Sequence, residues 1–418
     1  MHNRLTRRSI LAGGGALSLA ALSKAQGRAA EFDRLPIAPA RIDIPQARID
    51  DIMSRLREVR WPDTPASDDP WQYGPPVSAM KDLVNYWVNE YDWREQEAAM
   101  NRFPHFKAKV ADYDIHFIHV KGSGKNPQPI IITHGWPGSF VEFLDVIEPL
   151  AHPELHGGDP KDSFSVVVPS IPGFGFSSKP KGPIGGRTVS RLLDRVMVEG
   201  LGYSGYIAQG GDYGAGISLG MATESEHCEA AHVNLLLGVG SEPQNDAERA
   251  AQERWVARSR VVGGYRAIQG TKPLSLAYGM TDSPVAVAAW LFEKFQSWSQ
   301  LENGDPWSVY TRDQILNNIM VYIVTDTFGT ASWMYVGGGS QGGADELPAR
   351  GPARKPTVGV AHFPGEVSFW PRSYAERTYN LIHWSDMGAG GHFGAFEQPK
   401  LYVNEMRTFA RKLRNKKS

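Results

Sequence analysis

Cysteine is almost missing from this chain: Cys228 stands alone among 418 residues, so neither an internal disulfide nor a cysteine-rich metal site can hold it together. An excess of one charge is missing too. With 44 Lys+Arg against 45 Asp+Glu and no basic run outside the two ends, the chain lacks the phosphate-neutralising footprint of a nucleic-acid binder. Long apolar runs are absent but for Ile10 to Leu22. As a helix that run would reach about 20 Å against a hydrocarbon core of roughly 30 Å, too short for a spanning anchor. What is present is a globular composition, 41% hydrophobic and 21% charged with 12 Trp, 15 Tyr and 17 Phe. It excludes disorder and collagen-like repeats and supplies core for two or three structural units. The partner this balance points to is a small, fairly neutral molecule.

The short apolar run has another use. Arg4, Arg7 and Arg8 precede it and Ser23-Lys24-Ala25 close it, the layout of an export signal. Thr6-Arg7-Arg8-Ser9-Ile10-Leu11 also resembles the twin-arginine signals that export folded bacterial proteins. The expectation is export to the periplasm, with membrane contact only through an uncleaved signal. A chain cut after Ala25 loses four basic and no acidic residues and is mildly acidic.

Residues 31 to 125 read as a helical prefix joined to a sheet. Ile49, Ile52, Met53, Leu56 and Val59 share one helical face before Trp61-Pro62, and Met80, Leu83, Val84, Trp87, Val88 and Tyr91 share another. Tyr113, Ile115 and Phe117 then alternate as a strand does. Further on, the strands Ile130 to Thr133, Ser165 to Val168, Tyr206 to Gln209 and His232 to Leu237 alternate with helical stretches near 140–150, 188–201 and 215–223. That alternation predicts a parallel sheet covered by helices. It lapses across 241–350, a tryptophan-bearing helical insertion, and resumes with Val358 to Phe363, Asn380 to Trp384 and a basic helix from Pro399. The domain reading is a signal at 1–25, a prefix at 31–125, a core in two parts at 126–240 and 351–418, and a cap between them.

Three turns carry chemistry. Gly210-Gly211-Asp212-Tyr213-Gly214 lies between a strand and a helix, where a nucleophile elbow belongs, with Asp at the nucleophile position. By itself the pentapeptide reads equally as a glycine-rich turn with an N-capping Asp. His134-Gly135-Trp136-Pro137-Gly138-Ser139 follows a strand and can aim backbone N–H groups at an oxyanion, with the Trp136 and Tyr213 amides as the donors; His134 itself reads as structural. Gly390-Gly391-His392-Phe393 follows the last strand, so nucleophile and histidine come in α/β-hydrolase order. For the acid between them, Glu366 fits the loop after the Val358 strand; Asp386 lies too close in sequence to His392, and Asp326 falls in the insertion.

An Asp nucleophile attacks an alkyl carbon, giving an ester that histidine-activated water then cleaves. Ester and amide substrates are disfavoured; an epoxide or an alkyl halide is required. Epoxide opening also needs a proton donor, and Tyr265 and Tyr335 in the insertion are candidates.

The chain resembles the epoxide hydrolases of the microsomal and juvenile-hormone type, over nearly its whole mature length. The likeness rests on Trp61-Pro62, HGWPGSF at 134 to 140, PSIPGFGFS at 169 to 177, GGDYG at 210 to 214, Gly264-Tyr265, Thr271-Lys272-Pro273, Phe363-Pro364-Gly365-Glu366 and GGHFGAFEQP at 390 to 399. The resemblance implies an α/β-hydrolase fold with a mostly parallel sheet and a helical cap, no cofactor and no metal. It also implies Asp212 as nucleophile, His392 as general base, Glu366 as charge relay, and Tyr265 and Tyr335 as donors to the epoxide oxygen. The substrates implied are an apolar epoxide and water. Tyr213 departs from the Trp usual after the nucleophile, which weakens the alternative of a haloalkane dehalogenase; a silent binding protein on the same fold is the other alternative. Oligomeric state has no signature. Three further motifs carry nothing: Gly338-Gly339-Ser340-Gln341-Gly342 lacks its strand and helix, His152 and His156 flank a proline loop, and Gly122-Ser123-Gly124-Lys125 lacks phosphate-loop spacing.

Overall fold

The computed structural model describes residues 34–236, 241–338, 347–348, 352–367 and 369–417. The export segment and Ser340 lie outside them. Nine strands make one sheet: β1 Ile37–Ala40, β2 His105–Val110, β3 Tyr113–Val120, β4 Gln128–Thr133, β5 Phe164–Pro169, β6 Tyr206–Gly210, β7 Cys228–Val233, β8 Thr357–His362 and β9 Asn380–Asp386. Their order is β1-β2-β3-β5-β4-β6-β7-β8-β9. The first four neighbours run antiparallel, and from β5 onward every pair is parallel. The central strands β4, β5 and β6 bury both faces, which is why they read as unbroken apolar runs. The architecture is that of an α/β hydrolase.

The prefix holds more elements than its sequence suggests. Besides the helices Gln46–Arg57 and Val77–Asn89 it contains Trp93–Met100, capped by the Asp92 carboxylate, and it contributes β1 and β2 to the sheet. The strand expected at His232 to Leu237 runs earlier, over Cys228–Val233. Its small Ala230 and Ala231 hide the strand, while Leu235 and Leu236 lie beyond its end.

In the helix Val77–Asn89, Met80, Leu83, Val84 and Trp87 are buried at i, i+3, i+4 and i+7. Full burial of each such side chain stabilises by about 1.5–3 kcal/mol. Polar side chains of the prefix tie it to the cap. Tyr86 Oη donates to Asp313 at 2.9 Å, Tyr91 Oη donates to Asn317 at 2.7 Å, and Arg55 pairs with Asp282 at 2.9 Å. The insertion is helical as expected, over Asp246–Val262, Gly264–Gln269, Pro273–Asp282, Pro284–Trp298, Arg312–Val324 and Phe328–Gly337. It is tied to the turn after β4: Tyr322 Oη donates to the Gly138 carbonyl at 2.7 Å and Asn318 Nδ2 to the Pro137 carbonyl at 2.9 Å.

Candidate active site

Asp212 follows β6 by two residues and starts the helix Asp212–Glu224 at φ 46°, a left-handed conformation that a non-glycine residue adopts only under constraint. The glycines around it are steric necessities. A Cβ on Gly214 would lie 2.0 Å from the Thr133 carbonyl oxygen, and one on Gly135 would lie 2.3 Å from Asp212 Cβ. This close approach lets the Trp136 amide donate to Asp212 Oδ1 at 2.9 Å. The Tyr213 amide sits in the first turn of the helix, where N–H groups have no intrahelical acceptor.

His392 is held from both sides. Its Nδ1 lies 2.7 Å from Glu366 Oε1 and its Nε2 lies 3.5 Å from Asp212 Oδ2. The side chain of Glu366, in the loop after β8, is fully buried and also accepts from the Val367 amide at 2.6 Å. The other two acid candidates go elsewhere. Asp386 is the last residue of β9 and pairs with His362 at 3.0 Å, while Asp326 pairs with Arg48. Burial alone would lower the imidazole pKa of His392, but Glu366 and Asp212 together raise it well above its ordinary value. His134 bonds the Ile171 amide through Nε2 and is held neutral by burial, its pKa lowered to about 4.

The cap closes aromatic rings over Asp212. Tyr265 stacks on Trp136 with centroids 5.1 Å apart, and Tyr335 meets Trp136, Tyr213 and Tyr265 edge-on at 5.1–5.7 Å. Burial raises the pKa of both cap phenols, so both are neutral, and their hydroxyls interact with each other. A cavity of about 320 Å³ opens between Asp212, Tyr213, Tyr265, Tyr335, Trp298 and His392. Of the seven residues expected at the site, Asp212, Tyr213, Tyr265, Tyr335 and His392 line this space, while Glu366 lies behind His392 and Trp136 reaches it through Asp212 and Tyr265.

Other groups at the site were not anticipated. Trp298 packs edge-on against His392 at 5.0 Å and accepts its amide N–H at 2.9 Å. Glu397 accepts from the Gly391 and Phe393 amides and, across to the cap, from Gln300, which shapes the His392 turn. Glu142 borders a small polar cavity that it shares with Asp212, Asn234, His392 and Tyr402. Burial pushes its carboxyl up to about 8, so it holds its proton at neutral pH. Its sequence signal was Ser139-x-x-Glu142, which reads as a capping box, and Ser139 does cap that turn.

Strand order, the Asp elbow, and the acid and histidine on later loops define an α/β hydrolase whose nucleophile position is a carboxylate. Residues 37–143 match the epoxide hydrolase N-terminus family and residues 128–267 the alpha/beta hydrolase fold family. The chain is 33% identical to epoxide hydrolase 1 of Sus scrofa, over 89% of this chain and 88% of that protein. It is 31% identical to juvenile hormone epoxide hydrolase 1 of Ctenocephalides felis, over 91% and 87%. The crystal structure of juvenile hormone epoxide hydrolase from Bombyx mori superposes with a TM-score of 0.77 at 26% identity, over 92% of this chain and 96% of that one. The chain belongs to the epoxide hydrolases. As an enzyme it adds water to an epoxide.

Proposed function

We propose that the chain converts an apolar epoxide to a vicinal diol through a covalent ester on Asp212. The observation that carries this reading is the unequal setting of the two carboxylate oxygens. Oδ1 is held by the Trp136 amide, whereas Oδ2 faces the site and His392. Oδ2 attacks the ring carbon, the C–O bond of the epoxide breaks, and Tyr265 or Tyr335 gives its proton to the leaving alkoxide.

Charge then sets the order of events. Before reaction, Glu366 and Asp212 favour the protonated imidazole of His392. Ester formation removes the Asp212 charge, so the imidazole gives up its proton more readily and can take one from water. That water attacks the ester carbonyl carbon, and negative charge develops on Oδ1, where the amides of Trp136 and Tyr213 receive it. Glu366 holds the imidazolium in place. Protonated Glu142 supplies a donor in the polar cavity beside the reacting carbon.

The same reading sends the protein out of the cytoplasm by the twin-arginine signal around Arg7-Arg8. Replacing both by lysine should keep the protein in the cytoplasm, and unchanged periplasmic recovery would remove that part.

Single turnover in heavy-oxygen water tests the covalent route. The diol should form without heavy oxygen while Asp212 acquires it, because the new hydroxyl comes from the carboxylate. Heavy oxygen in the first diol formed would mean direct attack by water.

A further inference from the structure

The large cavity holds charged groups that ring opening does not use. On one wall, Trp255, Arg258, Ser259 and Val262 share a face of the helix Asp246–Val262 at i, i+3, i+4 and i+7. Arg266 joins them from the next helix, one residue after Tyr265. Its guanidinium lies 4.5 Å from the Trp255 ring centroid and donates to Ser259 Oγ at 3.0 Å. Arg258 Nη2 donates to the Ser297 carbonyl at 3.0 Å, while its Nε is buried with no partner. Among the described residues neither arginine pairs with a carboxylate, and Asp212 is the one acidic side chain that lines the cavity.

Both guanidiniums are partly exposed on a mostly apolar cavity wall and have no counter-ion among the described residues, so they offer N–H donors to a ligand anion. The charge also reaches the chemistry: Arg266 favours the ionised forms of the Tyr213 and Tyr265 phenols, against their burial. A planar carboxylate is the anion best matched to guanidinium forks. At about 320 Å³ the cavity encloses an organic chain as well as an epoxide ring.

We infer that the preferred substrates are epoxy acids, with the epoxide at Asp212, an apolar body along the Trp255 and Val262 wall, and a carboxylate bound by Arg258 and Arg266. The inference rests on the reading of Asp212 as the epoxide-opening group and names the substrate class for that site.

Diol formation from three epoxides tests it: the terminal epoxide of undecenoic acid, the methyl ester of that acid, and styrene oxide. The acid should exceed its ester in kcat/KM by about tenfold, the worth of one charge-assisted hydrogen bond. The gain should appear in KM and shrink as salt is added. In the double variant Arg258→Met, Arg266→Met the ratio of acid to ester should fall to about one, and the corresponding double Lys variant should regain part of it. Reading the ratio cancels any general change in activity. An acid no better than its ester in the parent enzyme overturns the inference, and does so even if the double variant is inactive; styrene oxide turnover then leaves the Asp212 reading standing. A preference that survives both Met substitutions overturns the assignment to these arginines. No diol from any of the three would sink the Asp212 reading and the inference with it.

Discussion

The Asp212 turn at the end of the central strand β6 and the Tyr265-Arg266 wall of the cap face the same cavity, yet different forces hold them. The turn is fixed by backbone against backbone. Gly214 lies on the Thr133 carbonyl, Gly135 lies on Asp212, and Asp212 itself is held at positive φ. The cap wall is fixed by side chains, ring against ring and cation against ring, on helices that leave Val261 and Tyr278 exposed. A backbone contact admits no substitute, whereas a packed ring admits several. The turn is accordingly where the reaction is set, and the cap is where ring opening and substrate choice can be tuned.

The sharpest break in that comparison is Gly214→Ala. The added carbon meets the carbonyl oxygens of Thr133 and His134 at the end of β4, so about 3 kcal/mol of stability or more should be lost. Gly216→Ala, on the same helix with nothing within 4 Å of the new carbon, should be neutral or gain up to about 1 kcal/mol. Thermal unfolding of the two proteins decides between backbone fit and mere glycine content.

In the cap, Tyr335→Phe and Tyr265→Phe should each slow ester formation by about tenfold to a hundredfold, with ester hydrolysis much less affected. Rapid-mixing single turnovers separate the steps, and equal slowing of both would take the phenols out of the donor role.

A pH-dependent effect belongs to Glu142. Its folded pKa, about 8, lies above the 4.5 of an exposed glutamate, so the folded protein keeps a proton that the unfolded chain has lost. The stabilisation is whole below about 4.5 and disappears as pH rises through about 8. Glu142→Gln should flatten that part of the profile, and unfolding midpoints taken at about pH 5 and about pH 9 will show whether it does.

The smallest change is expected from Asp386→Asn. It removes an exposed pair with His362, which is worth about 1 kcal/mol at most, and should leave turnover unaltered.

The sequence was most legible where chemistry sits in short glycine-rich turns after strands. Asp212, Glu366 and His392 each occupy one, and they meet in space. Tyr265 and Tyr335 could be singled out only by resemblance, since a tyrosine on a helix has no local mark that distinguishes a donor from a packing ring. Glu142 was hidden by a second role as a cap, and Arg258 and Arg266 look like solvated charges until the helix face is known. The prefix strands were missed for another reason. β1 is an edge strand of four residues containing Pro39, and β2 alternates Phe106, Ala108 and Val110 with two lysines, a weak signal beside strong helical periodicity.

The central claim is that Asp212 becomes esterified before water enters, and His392→Gln tests it most directly. A glutamine cannot take a proton from water, so the first step should proceed and the second should nearly stop. Intact-protein mass spectrometry after mixing with styrene oxide should then show one added substrate mass, located on the peptide containing Asp212. A His392→Gln protein that stays unmodified, while the parent enzyme turns over the same epoxide, would contradict the covalent account.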